Sequence, residues 1–315
     1  MLALRIVPIA ALLCSCDSAR SQGHAPATDA PGMRDARDGG PSGGPVGSAA
    51  SGNTSATREN VKDATRDTDK GEKSTALAPL EADRPYMDLD VSGFGPAVVS
   101  VPRGATEARP IVLATHGNYD RPEWQCQVWR EIVGDGAFIL CPRGIARRDS
   151  PSPKDIRFTY ANGKALEREI DAGLAALRAT FGAHVGSDPI VYTGFSLGAI
   201  IGAALAMRPS DTTPYERLVL VEGGHDAWTE QTAKRFAAAG GKKVLFGCGQ
   251  AGCFPSARKA SGQLERAGVQ TRIVGVKDAG HAYDGPVARA VSESWRWLLE
   301  PRAPSDPASS RRGSP

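Results

Sequence analysis

From residue 97 onwards the apolar positions fall into short blocks of two kinds, and the kinds alternate. Residues 97–101, 110–115, 137–141, 189–193, 217–221, 243–246 and 271–276 are brief, largely β-branched runs bounded by Gly, Pro or polar residues. Such runs predict buried strands. Between them lie longer segments with helical spacing: 124–133, 163–181, 199–207, 229–239, 257–267 and 286–299. Leu166, Ile170, Leu174 and Leu177 mark one face of the second of these. Continuous apolar strands alternating with helices predict an α/β domain with a mostly parallel sheet covered on both faces. Right-handed crossovers then bring the C-terminal ends of the strands to one edge, where loop residues can meet.

The pattern is missing from both ends of the chain. Residues 1–16 form a short apolar stretch with Arg5 near its front, too short for a spanning helix and suited to an export signal. Its end, Leu13-Cys14-Ser15-Cys16, resembles a bacterial lipobox with Cys16 as the lipidated residue, although Cys14 is unusual two positions before it. A plain signal peptide or an uncleaved anchor is the competing reading. Residues 17–80 are dense in Gly, Ser, Thr, Ala, Pro, Asp and Arg, with no aromatic residue before position 81. That composition predicts a disordered tether between a membrane and the domain at 81–300, with a similar tail at 301–315. The domain is long enough for one self-sufficient core. The net charge of the 315-residue chain is only +3, which does not suggest a nucleic-acid partner.

Candidate chemistry sits at the ends of the predicted strands. Gly194-Phe195-Ser196-Leu197-Gly198 lies between the strand at 189–193 and the helix at 199–207. Strand, G-x-S-x-G, helix is the layout of a nucleophile elbow. A serine on so sharp a turn needs tiny neighbours, and the turn presents the Leu197 N–H and the helix N-terminus to a nascent oxyanion. His116-Gly117-Asn118-Tyr119 follows the strand at 110–115, and the Asn118 N–H is the expected second oxyanion donor. His116 itself is read as a structural histidine that orders this loop. The expected base is His281, in Asp278-Ala279-Gly280-His281, after the last strand and before the last helix.

Taken in this order, His-Gly, Gly-Phe-Ser-Leu-Gly and Gly-His resemble the α/β-hydrolase family over residues 85–299. The resemblance implies the α/β-hydrolase fold without a large cap domain, no cofactor, and Ser-His-acid catalysis on an ester or related acyl bond of a small molecule. One part departs from the family pattern. Its usual acid position follows the strand at 243–246, where this chain has Gly247-Cys248-Gly249-Gln250-Ala251-Gly252-Cys253, without a carboxylate. Some lipases of the family carry the acid one strand earlier. Glu222, directly after the strand at 217–221, is therefore the first choice for the residue that orients the base, with Asp226 second and Asp278 or Asp284 behind them. Without any acid the chain would be a Ser-His dyad, assisted by Gln250, or a catalytically weak binding lipoprotein on a hydrolase fold.

Of six cysteines, Cys126, Cys141, Cys248 and Cys253 fall within the domain. Four cysteines allow three connectivities. Local pairing predicts Cys126–Cys141 and Cys248–Cys253, as an oxidising cell envelope permits. Metal binding is not expected, because no C-x-x-C spacing occurs. Tyr119, Trp124 and Trp228 fall in or near the catalytic-edge loops and are candidates for pocket walls. The stretch 223–229 is too short for a large lid, so an open cleft is expected.

Overall fold

The computed structural model describes residues 76–208 and 215–300. The signal-like start with Cys16, most of the 17–80 segment and the 301–315 tail lie outside the described residues.

The chain forms β1 (Tyr86–Leu89), β2 (Ala97–Ser100), β3 (Ile111–Thr115), α1 (Pro122–Val133), β4 (Phe138–Cys141), β5 (Ile145–Ala146), β6 (Phe158–Thr159) and α2 (Gly163–Phe181). It continues with β7 (Val191–Phe195), α3 (Leu197–Ala206), β8 (Arg217–Val221), α4 (Glu230–Ala238), β9 (Lys243–Cys248), α5 (Cys253–Arg266), β10 (Gln270–Gly275) and α6 (Gly285–Leu299). Eight strands make one sheet in the order β1-β2-β4-β3-β7-β8-β9-β10. β1 and β2 pair antiparallel, as do β2 and β4, and every other neighbouring pair is parallel. β5 and β6 form a separate hairpin.

Alternation along the strands feeds two cores. Ile111, Leu113, Leu218 and Leu220 face one side, with α2 to α5, whereas Val112, Ala114, Val219 and Val221 face the other, with α1 and α6. The face of α2 read from the sequence is the buried one: Leu166, Ile170, Leu174 and Leu177 are each at most 2% exposed. Burial of each stabilises the fold by about 1.5–3 kcal/mol. The side-chain carbonyl of Asn162 accepts the Ala165 N–H at 2.9 Å and starts this helix, and Gly182, at φ 53°, ends it.

The order of connections positions the site. After β3 the chain crosses to β4 on one side, then returns to β7 on the other and proceeds outward through β8, β9 and β10. β3 and β7 therefore flank the topological switch point, where loops diverge and a crevice opens.

Some boundaries differ from the sequence expectation. β7 runs two residues further than predicted, so the strand carries Gly194 and Phe195 up to Ser196. α5 begins at Cys253 instead of residue 257, because the disulfide to Cys248 fixes its first residue where no side-chain cap advertises a start. β1 and the β5–β6 hairpin were not expected: β1 is four residues without a buried run, and the two-residue strands β5 and β6 carry no periodicity to read. Among the described residues no helix is long and apolar enough to cross a membrane.

Candidate active site

β7 delivers Ser196 to the switch point in a strained backbone. Its φ is 50°, a left-handed value rare for a residue with a Cβ. The Ser196 N–H donates to Val221 O at 2.9 Å, and Ser196 O accepts the Ile200 N–H at 2.9 Å, so the turn is held from both sides. A Cβ on Gly194 would stand 2.6 Å from Gly198 C, and one on Gly198 would stand 2.6 Å from Thr115 O. Neither space exists, which is why both flanking positions are glycine. Tyr192 braces the underside: its hydroxyl donates to Gly198 O at 2.8 Å and lies 2.8 Å from Thr115 Oγ1.

Four non-glycine residues among those described have positive φ: Tyr119, Ser196, Glu222 and Asp278. All four follow C-terminal ends of strands along one edge of the sheet, after β3, β7, β8 and β10 respectively. Strain of roughly 1–3 kcal/mol per residue persists only where the surroundings over-determine it, and it gathers at functional sites.

Three of the predicted residues meet there. His281 Nε2 lies 2.9 Å from Ser196 Oγ, and His281 Nδ1 lies 3.2 Å from Glu222 Oε2. An ionised carboxylate only accepts, so Nδ1 carries the proton and Nε2 offers its lone pair to the serine hydroxyl. The His281 ring packs beside Phe195, with centroids 4.9 Å apart. Glu222 is 6% exposed. Its Oε1 accepts the backbone N–H groups of Gly249 and, at 2.9 Å, of Gln250. Burial pushes the Glu222 pKa up; the hydrogen bonds from His281, Gly249 and Gln250 outweigh it, and the net shift is downward. The carboxyl is thus held as an anion facing His281 Nδ1.

The alternatives for the acid lie elsewhere. Asp226 projects into solvent beside His225, with a side chain 87% exposed. Asp284 occupies the N-cap of α6, and Asp278 the strained turn before Gly280; neither hydrogen-bonds to His281.

The loop after β3 reaches the serine. A Cβ on Gly117 would come within 3.3 Å of Ser196 Cβ. Among the described residues neither the Leu197 N–H nor the Asn118 N–H has a protein acceptor, so both are available to a ligand oxygen. His116 is fully buried, with Nδ1 2.8 Å from Gly117 O and Nε2 2.9 Å from Arg143 O, and it stacks on Tyr160. Both ring nitrogens are engaged by backbone carbonyls, which fits loop ordering.

Sequence reasoning missed Asp120. It is 7% exposed and accepts from the Gly117 N–H at 3.3 Å, the Arg121 N–H at 2.8 Å and the Tyr283 hydroxyl at 3.2 Å. It therefore ties the His116 loop to the segment carrying His281. Burial raises its pKa, against the opposing pull of His116 and the backbone donors. An aspartate four residues after His116 was visible in the chain, but nothing local marked it as buried.

The aromatic candidates separate. Tyr119 and Trp124 are 37% and 39% exposed on the loop and helix after β3. Arg157, from the β5–β6 hairpin, stacks over both, at 5.6 and 4.4 Å from the ring centroids. Trp228 does not line the cleft: it is 3% exposed and packs edge-on against Phe236 in the core, because the short turn after β8 packs down against α3 and α5. The two disulfides pair as expected, Cys126–Cys141 and Cys248–Cys253. Glu222, Cys248 and Cys253 bring ligand atoms within 4.8 Å of one another, but the two sulfurs are bonded together and leave a carboxylate alone.

Strand order, the elbow after β7 and the convergence of loops at the switch point together define the α/β-hydrolase fold. No protein-family profile and no curated protein matches the sequence. Solved structures do match in shape, and these neighbours are α/β-hydrolase-fold proteins. TT1662 from Thermus thermophilus superposes with a TM-score of 0.50 at 16% identity, over 69% of this chain and 98% of that one. Est1E from Butyrivibrio proteoclasticus gives 0.48 at 15% identity, over 69% and 99%. A Pyrobaculum calidifontis esterase gives 0.46 at 15% identity, over 68% and 84%. At such identity the likeness is one of fold.

Proposed function

We propose that the protein is a serine hydrolase that cleaves an ester or related acyl bond of a small molecule. Ser196 Oγ attacks the carbonyl carbon as His281 Nε2 takes its proton, and Glu222 stabilises the imidazolium through Nδ1–H. The Leu197 and Asn118 N–H groups receive the oxyanion. His281 returns the proton to the leaving group, and water activated by the same imidazole frees the acyl-enzyme. Tyr119 and Trp124 are the walls left to meet the substrate, in an open cleft.

The observation that carries this reading is the continuous relay from Ser196 Oγ through His281 to a buried carboxylate, at 2.9 and 3.2 Å. The rival reading, an inactive binding protein on a hydrolase fold, drew on the missing acid after β9. Glu222, presented from β8 within reach of His281, supports the catalytic reading over it. Fluorophosphonate labelling tests the choice: wild-type protein should be labelled at Ser196, and Ser196→Ala should lose both label and turnover on a short-chain chromogenic ester. Full esterase activity in Ser196→Ala would refute the assignment.

We further propose export and lipid anchoring through Cys16. Two disulfides support an oxidising compartment, and the end of the signal-like stretch supports lipidation. Cys16→Ala should move the protein from the membrane fraction to the soluble one.

A further inference from the structure

The loop between β9 and α5 has no carboxylate, yet it holds the one on Glu222. Cys248 ends β9 and Cys253 opens α5, and their bond closes residues 248–253 into a small ring. Inside the ring the successive N–H groups of Gly249 and Gln250 both donate to Glu222 Oε1. Two adjacent amides aimed at one oxygen form an anion-holding nest, which needs one particular backbone conformation. Gln250 O also accepts the Cys253 N–H at 3.1 Å.

The same ring grips the segment that carries the base. Gly249 O accepts the Gly280 N–H at 3.1 Å, and Cys248 O accepts the Val276 N–H at 3.0 Å. The contact leaves no slack: a Cβ on Gly249 would stand 2.3 Å from Gly280 O. Four residues separate the cysteines, and two of them, Gly249 and Gly252, are glycines. An open chain of that composition has many conformations, and closing it removes most of them. Cys248 is 0% exposed and Cys253 6%, while Cys126 and Cys141 are both 0%, so Cys253 is the cysteine nearest the surface.

We propose that the Cys248–Cys253 bond is a positioning element for the acid–base pair: it sets the nest that aims Glu222 at His281, and turnover therefore depends on its oxidation state. The proposal rests on the reading of Glu222 as the triad acid. Reduction by a dithiol adds two electrons and two protons to the sulfurs, giving two thiols, while the reductant leaves as its own disulfide. The nest then loosens, and misplacement of catalytic groups by about 1 Å costs on the order of 100-fold in rate.

The test compares oxidised wild type, wild type treated with dithiothreitol, Cys248→Ala/Cys253→Ala, and Gly249→Ala, with kcat and KM on a chromogenic ester and near-UV circular dichroism for each. Dithiothreitol and the double variant should each lower kcat by about 10- to 100-fold with KM within about two-fold, and dithiothreitol should do nothing further to the double variant. A folded double variant with wild-type kcat overturns the proposal. So does a dithiothreitol effect that persists in full in the double variant, which belongs to Cys126–Cys141. If the double variant does not fold, Cys126→Ala/Cys141→Ala, which keeps only the Cys248–Cys253 bond, decides the matter. Dithiothreitol lowering its kcat at constant KM supports the proposal, and an unchanged kcat refutes it, whereas Gly249→Ala reports only the fit of the ring against Gly280. Failure of the parent reading looks different: oxidised wild type would then neither turn over ester nor take a fluorophosphonate label, or Glu222→Ala would keep full activity.

Discussion

Replacing Glu222 by glutamine changes one atom and leaves the amide no arrangement that satisfies its neighbours. Glu222 Oε1 now accepts two backbone N–H groups, and Oε2 faces His281 Nδ1. If the amide oxygen stays with Gly249 and Gln250, its NH2 meets Nδ1, which must then accept. The imidazole proton moves to Nε2 and points at Ser196 Oγ, so the base has no lone pair for the serine. If the amide flips, Nδ1–H is satisfied but two buried N–H donors face an NH2 group, at a cost of about 1–3 kcal/mol for each unsatisfied donor. The first arrangement is the milder for stability and the more damaging for rate. A wrong tautomer in a serine triad lowers kcat by roughly 10⁴, equivalent to about 5.5 kcal/mol of barrier. We expect Glu222→Gln to lose roughly 10³- to 10⁴-fold in kcat with KM nearly unchanged and a native near-UV spectrum, and to react with a fluorophosphonate correspondingly slowly. Because hydrogen bonding holds the Glu222 pKa below its ordinary value, its contribution to stability is fully present above about pH 4.3 and is lost only as pH falls through the lower native value. Acid unfolding of the glutamine variant should lack that component. A folded Glu222→Gln enzyme within about ten-fold of wild-type kcat would show that His281 takes its orientation from elsewhere.

Ser196→Ala should abolish labelling and turnover while thermal unfolding stays cooperative, since among the described residues the serine hydroxyl bonds only to His281. Gly202→Ala tests the brace under the elbow. Its methyl would stand 2.0 Å from the Tyr192 ring, so urea unfolding should show a loss of about 1–3 kcal/mol. Arg147→Ala removes the 2.7 Å bond to Asn118 Oδ1 and the cation over Tyr119. With Asn118, the proposed second oxyanion donor, less firmly held, kcat should fall about ten-fold, and thermal stability should change little. Asp120→Asn keeps the size of the link between the His116 and His281 segments but removes its charge and turns an NH2 towards one of the Gly117 and Arg121 N–H donors. Burial raises the Asp120 pKa, so wild-type stability falls as pH rises from the ordinary aspartate value through the higher native one, and the variant should lack this slope in urea titrations.

The amino-acid order alone determined the alternation of strand and helix, the elbow turn at Ser196, the loop that carries His281 and the local cysteine pairs. Each is written locally, as a two- or 3.6-residue period, as glycines where the chain must turn sharply, or as two cysteines no more than 15 residues apart. Glu222 was legible only as a carboxylate after the right strand, because Asp226, four residues on, carries the same chemistry. What separates them is burial and a pair of amides from another strand's loop, and neither leaves a mark on the residue itself. Asp120 was silent for the same reason, and Trp228 was misread because an aromatic side chain looks alike on a rim and in a core. Tertiary structure alone decided which carboxylate meets the imidazole. That choice is a contact across sequence distance, fixed by how β8, β9 and β10 lie side by side, and only the assembled sheet can set it.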